Sequence, residues 1–307
     1  MTLINSAKEI YRHKGILGLS LAFMRYSLFM FNKTLVNKKS RFKEVQSNQL
    51  SRNDKLRKFC NISSGVGLEI GPLSIPIVRK DEGIIYYVDR FSTEQLKEKY
   101  KSAKWLEIGN IVPVDFIIEE ISYEDIQSEV KTIDYIIASH ILEHCPNPLG
   151  WLRCLAKIIQ PKGIISLAIP DRRYTFDYYR RETTLAQLLA YDLEGLTKPS
   201  IEQVLDCFMN ICKVDTKAAW ILDYSALKPE KQHEFHSADD IIKLIEREGN
   251  DAYTHCTVWT FESFCEIFPQ AMKIANIPLE ISCSYEPEKF SNEFIVQLKL
   301  CQPVNSQ

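Results

Sequence analysis

The sequence predicts an α/β fold: an open, mostly parallel sheet of seven strands with an antiparallel last strand, a helical insertion, and a basic helical arm in front. Three observations predict it. Short apolar runs alternate with helical patterns from about residue 60 to residue 170, the signature of right-handed βαβ units. Several of these runs end in small or acidic residues, Gly71, Asp89 and Ser139, as strands do where a ligand crevice lies beyond their carboxyl ends. Two further apolar runs, at 279–285 and 293–300, follow each other without a helix between them, as antiparallel neighbours do.

The elements follow in order. Residues 66–70 are an apolar strand closed by Gly71, and 84–88 a second closed by Asp89. Residues 93–100 read as helix, 112–118 as the third strand and 133–138 as the fourth. Residues 148–159 form an amphipathic helix stopped by Pro161-Lys162-Gly163, and 164–169 the fifth strand. Residues 172–250 break this rhythm. They lack strong strands and carry helical patterns at 185–192, 201–213 and 237–248. That is too long for an ordinary connection and predicts a helical insertion beside the site. Residues 260–268 and 270–275 read as helix before the two closing strands.

At 307 residues with 45% hydrophobic and 25% charged content, the chain can bury a sizeable core. A net charge of -2 argues against a molecule built to bind polyanions. The charge is uneven: residues 1–60 hold 13 Lys and Arg against 3 Asp and Glu. This divides the chain into a basic N-terminal helical extension, 1–59, and a main domain, 60–307. The apolar run 15–31 is interrupted by Arg25 and is shorter than the ~20 residues a spanning helix needs. Lys14, Gly18, Arg25 and Asn32 fall on one stripe of it. Two readings stand for residues 12–43: an interfacial helix making peripheral contact with an anionic inner-membrane leaflet, or a helix packed on the main domain with a solvated basic tail. Nucleic acid is not an expected partner, because aromatics are sparse in the basic stretch and the acidic body repels a long polyanion. The nine cysteines form no CxxC pair and no secretory signal is evident, which fits reduced thiols in a cytoplasmic protein.

The motifs sit at the predicted strand ends. In Leu68-Glu69-Ile70-Gly71-Pro72, Gly71 allows close backbone approach to a ligand, and Glu69 can accept from the ammonium of a bound amino-acid moiety. A plain strand-terminating turn at Gly71-Pro72 is the bland alternative. Asp89 stands 18 residues after Gly71, where an acid can grip ribose hydroxyls. Glu119 or Glu120 follows the third strand, within reach of an adenine edge. Ser139-His140 ends the fourth strand, and His144 lies four residues on. Either histidine can take a proton near neutral pH, or simply order its loop. HILEH is not HExxH and no third ligand is evident in the sequence, so no metal is expected. Asp171, after the fifth strand, can serve as base, as substrate ligand, or as partner of Arg172 or Arg173. His233, His236 and His255 read first as packed histidines, with a return to the pocket the alternative for His255, near the final helix.

Together these segments resemble the class I methyltransferases that use S-adenosylmethionine. GLEIGP resembles the first motif of that family, VDR its ribose motif and IDYIIASHILEH its fourth-strand motif. The LEIGP, ASHILEH and PDRRYTFD patterns resemble most closely the methyltransferase-domain proteins associated with bacterial surface-polysaccharide and glycan pathways. The resemblance covers roughly residues 60–177 and the two closing strands. It implies a Rossmann-like sheet and S-adenosylmethionine as cofactor. It implies contacts from Glu69, Gly71 and Pro72 to the amino-acid part, Asp89 to the ribose, Glu119 or Glu120 to the adenine, and Ser139 and His140 beside the methyl donor. It also implies a glycan or other small-molecule hydroxyl as acceptor, with His140 the first candidate base and His144 and Asp171 behind it. The second and third glycines of the first motif are missing. Two rivals remain: a non-catalytic scaffold of the same fold, and a nicotinamide oxidoreductase, which would need the absent GxGxxG.

Overall fold

The computed structural model describes residues 50–222, 227–248 and 254–301. The apolar run at 15–31 and the expected membrane contact at 12–43 lie outside them.

Seven strands make one sheet: β1 Val66–Ile70, β2 Ile84–Asp89, β3 Phe116–Ile117, β4 Tyr135–Ser139, β5 Ile164–Pro170, β8 Leu279–Tyr285 and β9 Glu293–Leu300, in the order β3-β2-β1-β4-β5-β9-β8. The first five are parallel; β9 pairs antiparallel with both β5 and β8. The fold is the expected Rossmann-like sheet, with its chain order reversing between β1 and β4.

Alternate residues of each strand face opposite sides. Leu68, Ile70, Val88, Ile136 and Ala138 pack on one face, against α4 (Pro148–Ile158) and α9 (Phe261–Ile274), through Leu149, Leu152, Leu155, Phe264 and Phe268. Ile85, Tyr87, Tyr135 and Ile137 pack on the other, against Leu56, Ile77 and Val78. Gly67 lets β1 and β4 pair here, because a Cβ would come within 2.1 Å of the Tyr135 ring.

That second face departs from a regular βαβ layout. No helix joins β1 to β2; the 13 residues between them form a loop containing Pro72 and Pro76. Pro72 and Pro76 each lack a backbone N–H, and Pro76 would interrupt a helix starting after Gly71. The cover comes instead from α1 (Arg52–Arg57), opened by a Ser51–Asp54 capping box, with Leu56 fully buried. The compact unit that holds the sheet begins at Leu50.

Other differences are local. The third strand is two residues rather than 112–118, since Pro113 cannot donate to a ladder and Val112 N–H bonds the Leu73 carbonyl in the first loop instead. α2 (Thr93–Lys99) matches its expectation, and α3 (Tyr123–Val130) was not foreseen. The two helical stretches expected at 260–275 are one helix, α9, running through Pro269 because Phe264, Phe268, Ala271 and Met272 bury one continuous stripe. The insertion holds α5 (Leu185–Glu194), α6 (Ile201–Asn210), α7 (Thr216–Ile221) and α8 (Ala238–Glu248), plus a two-residue ribbon of β6 (Cys212–Lys213) and β7 (Glu230–Lys231).

Candidate active site

The crevice of an open α/β sheet lies where the strand order reverses, outside the carboxyl ends of its strands. Here that is the gap between β1 and β4. On one side, Gly71 has φ +69, and a Cβ on it would stand 2.4 Å from Ile141 Cδ1. Pro72 begins the long loop. Glu69 is buried, and both its carboxylate oxygens accept from that loop, from Ile77 N–H at 2.6 Å and Val78 N–H at 3.0 Å. Glu69 therefore shapes the wall behind Gly71, and burial pushes its carboxyl up to about 7.

At the end of β2, Asp89 is half-buried and accepts from Phe91 N–H at 3.2 Å; burial raises its carboxyl. Glu119, just after β3, is exposed and pairs with Arg90 beside Asp89; Glu120 is exposed too.

β4 delivers Ser139 and His140. His140 adopts the left-handed conformation, φ +56, uncommon for a residue with a Cβ and typical of functional turns. Its Nε2 lies 2.8 Å from Glu293 Oε2, and its Nδ1 lies 3.3 Å from Glu143 Oε1. Carboxylates accept and do not donate, so an imidazole between two of them carries both protons. Burial alone would depress this ring, but the flanking Glu143 and Glu293 raise it to about 10. The residue the sequence offers first as a base is thus a cation held between two acids. Arg52 completes the cluster, donating from Nη2 to Ser139 Oγ at 2.6 Å and to Glu293 Oε2 at 2.9 Å.

The other two base candidates are placed differently. Asp171 is fully buried; it accepts from Arg173 Nε at 2.8 Å and Nη2 at 2.6 Å, and from Phe261 N–H at 3.0 Å at the start of α9. It pins the segment after β5 to that helix, in the role of partner to Arg173. His144 has Nδ1 3.1 Å from the Thr254 carbonyl, and burial holds its imidazole down at about 4, hence neutral. His144 faces His255, ring centroids 4.7 Å apart, and Glu143 stands with both. The structure thereby supplies the third donor that the sequence did not reveal.

Sequence reasoning missed Arg52, Glu293 and Asp177. Arg52 is one basic residue among many, and Glu293 sits at the start of a late strand; only the β5–β9 register, which sets Pro170 opposite Glu293, brings it to the crevice. The insertion supplies an aromatic wall. Tyr174 stacks on Trp220 of α7 at 4.2 Å with rings 5° apart, and Trp220 Nε1 donates to the Ser291 carbonyl at 2.7 Å.

A sheet that reverses at β1/β4, with carboxylates at successive strand ends and an antiparallel β9 contributing from its start, defines a ligand-binding α/β enzyme domain. The family model described as a methyltransferase domain matches residues 55–271. The chain belongs to that methyltransferase-domain family, and it is an enzyme of the transferase class. No curated protein matches the sequence. Among solved structures it is similar to the CcbJ methyltransferase from Streptomyces caelestis (10% identity, 84% of this chain and 100% of that one, TM-score 0.40). It is also similar to a putative S-adenosylmethionine dependent methyltransferase from Listeria monocytogenes (12%, 80% and 96%, TM-score 0.40). A third is a putative Zn-dependent alcohol dehydrogenase from Rhodobacter sphaeroides (12%, 81% and 88%, TM-score 0.42). Likenesses this distant carry no argument; the family match does.

Proposed function

We propose that the protein transfers a methyl group from S-adenosylmethionine to a hydroxyl of a sugar or glycan-linked acceptor. The observation that carries this reading is the character of the crevice. No helix follows β1, so no helix N-terminus faces a pyrophosphate, and the strand ends carry Asp89 and Glu293. An acidic rim suits a cofactor with a sulfonium and an ammonium, and repels the phosphates of a dinucleotide. Gly71 and Pro72 leave room for its amino-acid part, Asp89 takes the ribose hydroxyls, and Glu119 meets the adenine edge. Bound there, the cofactor supplies an electrophilic methyl carbon.

The chain then contributes alignment, which can account for much of the rate of an in-line displacement. His140, fixed by Glu143 and Glu293, positions the acceptor, and the hydroxyl proton passes to solvent rather than to this ring. The stacked Tyr174 and Trp220 and the half-exposed Phe176 and Tyr179 support an acceptor with flat, partly apolar faces, as sugars have. The PDRRYTFD pattern supports the same acceptor class. Residues 12–43 bring this cytoplasmic enzyme to an anionic inner-membrane surface, where such acceptors are assembled; binding to anionic but not neutral vesicles checks this.

The test is calorimetric titration with S-adenosylhomocysteine and with NADH. Micromolar binding of the first alone, lost in Asp89→Ala, is expected. Binding of NADH overturns the reading, and binding of neither leaves a scaffold of this fold.

A further inference from the structure

Glu143 is a carboxylate buried behind the crevice. It is fully inaccessible, and its Oε2 has no hydrogen-bond partner among the described residues. His140 Nδ1 reaches only its Oε1, at 3.3 Å. A buried carboxylate oxygen with unused acceptor capacity is costly, and a bound cation would satisfy it.

Two histidines converge on it. His144 is the next residue. Its Nδ1 faces the Thr254 carbonyl at 3.1 Å, so that nitrogen carries the proton and Nε2 the lone pair. His255 comes 111 positions later from the strand-like segment behind the insertion and is almost fully buried. Its Nδ1 lies 2.6 Å from Asp177 Oδ2, which turns its Nε2 towards Glu143, 3.9 Å from Oε1. Asp177 is in turn held by Arg180 Nη1 at 2.9 Å, so the orienting carboxylate is itself fixed. The two chain segments are tied by backbone bonds to the Glu143 carbonyl, from Cys256 N–H at 2.5 Å and Thr257 N–H at 3.2 Å.

One donor atom from each of Glu143, His144 and His255 lies within 4.8 Å of the other two. We propose that these three residues form a binding site for a divalent transition-metal ion of the zinc class. Two imidazoles and one carboxylate are a recurrent ligand set for such ions, while magnesium and calcium prefer all-oxygen sites. Each histidine binds its other ring proton to a carbonyl or carboxylate, the outer-shell arrangement that orients metal-ligating imidazoles. Closing the three donors onto bonds of ~2.0–2.2 Å needs side-chain shifts of about 1 Å. The ion joins the turn after β4 to the segment that returns from the insertion, and it sits behind His140 through their shared Glu143. This site is separate from the crevice and its cofactor.

The test is titration of the chelator-treated full chain with Zn²⁺ against a competing indicator, with Mg²⁺ as control, followed by thermal unfolding. One equivalent of zinc bound and a raised Tm are expected, with no response to magnesium. Glu143→Gln and His255→Ala each abolish stoichiometric binding, and Asp177→Asn weakens it ~10–100-fold. Circular dichroism of the Glu143→Gln protein, a near-isosteric change, separates loss of the site from loss of the fold. Cobalt in place of zinc gives a visible spectrum without a thiolate charge-transfer band. No zinc binding by the wild type, binding unchanged in a His144→Ala/His255→Ala double variant, or a cobalt–thiolate band from the nine cysteines would each overturn the proposal.

Discussion

His140 and Glu293 meet across 153 residues of sequence, the imidazole Nε2 2.8 Å from the carboxylate. One follows a parallel strand and the other begins an antiparallel one, so their contact depends on β5 lying between β4 and β9. With Arg52 on its other side, Glu293 is held down at about 2 despite the burial that would raise it.

A folded-state pKa below the unfolded value gives stability that is present above the unfolded pKa and lost as pH falls towards the folded one. For Glu293 that window runs from 4.5 down to about 2. We expect Glu293→Gln to cost on the order of 2–3 kcal/mol at neutral pH, and the gap from wild type to shrink through that window. Urea unfolding of both proteins at neutral pH and at about pH 3 checks it; a gap independent of pH would refute the ionic account.

Gly71→Ala combines a left-handed backbone with a clash on Ile141. The expected cost is about 1–2 kcal/mol for the backbone alone, with weakened binding of S-adenosylhomocysteine. Adding Ile141→Ala should relieve the clash but not the backbone term, so recovery will be partial. Full recovery in the double variant would show that φ does not matter there.

Leu56→Ala removes a fully buried side chain of α1. A loss of about 2–5 kcal/mol is expected, as for other core truncations. A change within experimental error would detach α1 from the compact unit.

Asp171→Asn keeps the shape and removes the charge facing Arg173. We expect a lower stability by about 1–3 kcal/mol, because a buried acceptor network loses its strongest member. The pH dependence of methyl transfer should keep its form. A shifted pH–rate profile would instead make Asp171 a base.

Trp220→Ala removes one ring of the stacked pair with Tyr174. The expected result is a several-fold higher KM for the acceptor with unchanged affinity for S-adenosylhomocysteine. Equal losses in both would place this wall on the cofactor side.

Much of this layout is legible in the residues. Short apolar runs closed by Gly71, Asp89 and Ser139 mark three strand ends, and their order shows where the crevice opens. What stays hidden is whatever depends on pairing between distant segments. Nothing around Glu293 distinguishes it from other acids until the antiparallel register is known. His255 looks like a lone packed histidine until the insertion folds back and sets it beside Glu143. The protonation of His140 is equally a property of its two carboxylate neighbours, not of its own motif. The first loop is as bare as its sequence, with Pro72 and Pro76 and no helix between β1 and β2.

The order of β5, β9 and β8 has a consequence for how the protein is made. β5 ends at Pro170 and its partner β9 begins at Glu293, so roughly 120 residues are synthesised while that edge of the sheet waits. All seven residues of β5 are buried in the finished fold. On the ribosome they form a bare apolar edge, the kind that recruits chaperones or neighbouring nascent chains, until the strand that belongs beside it has emerged.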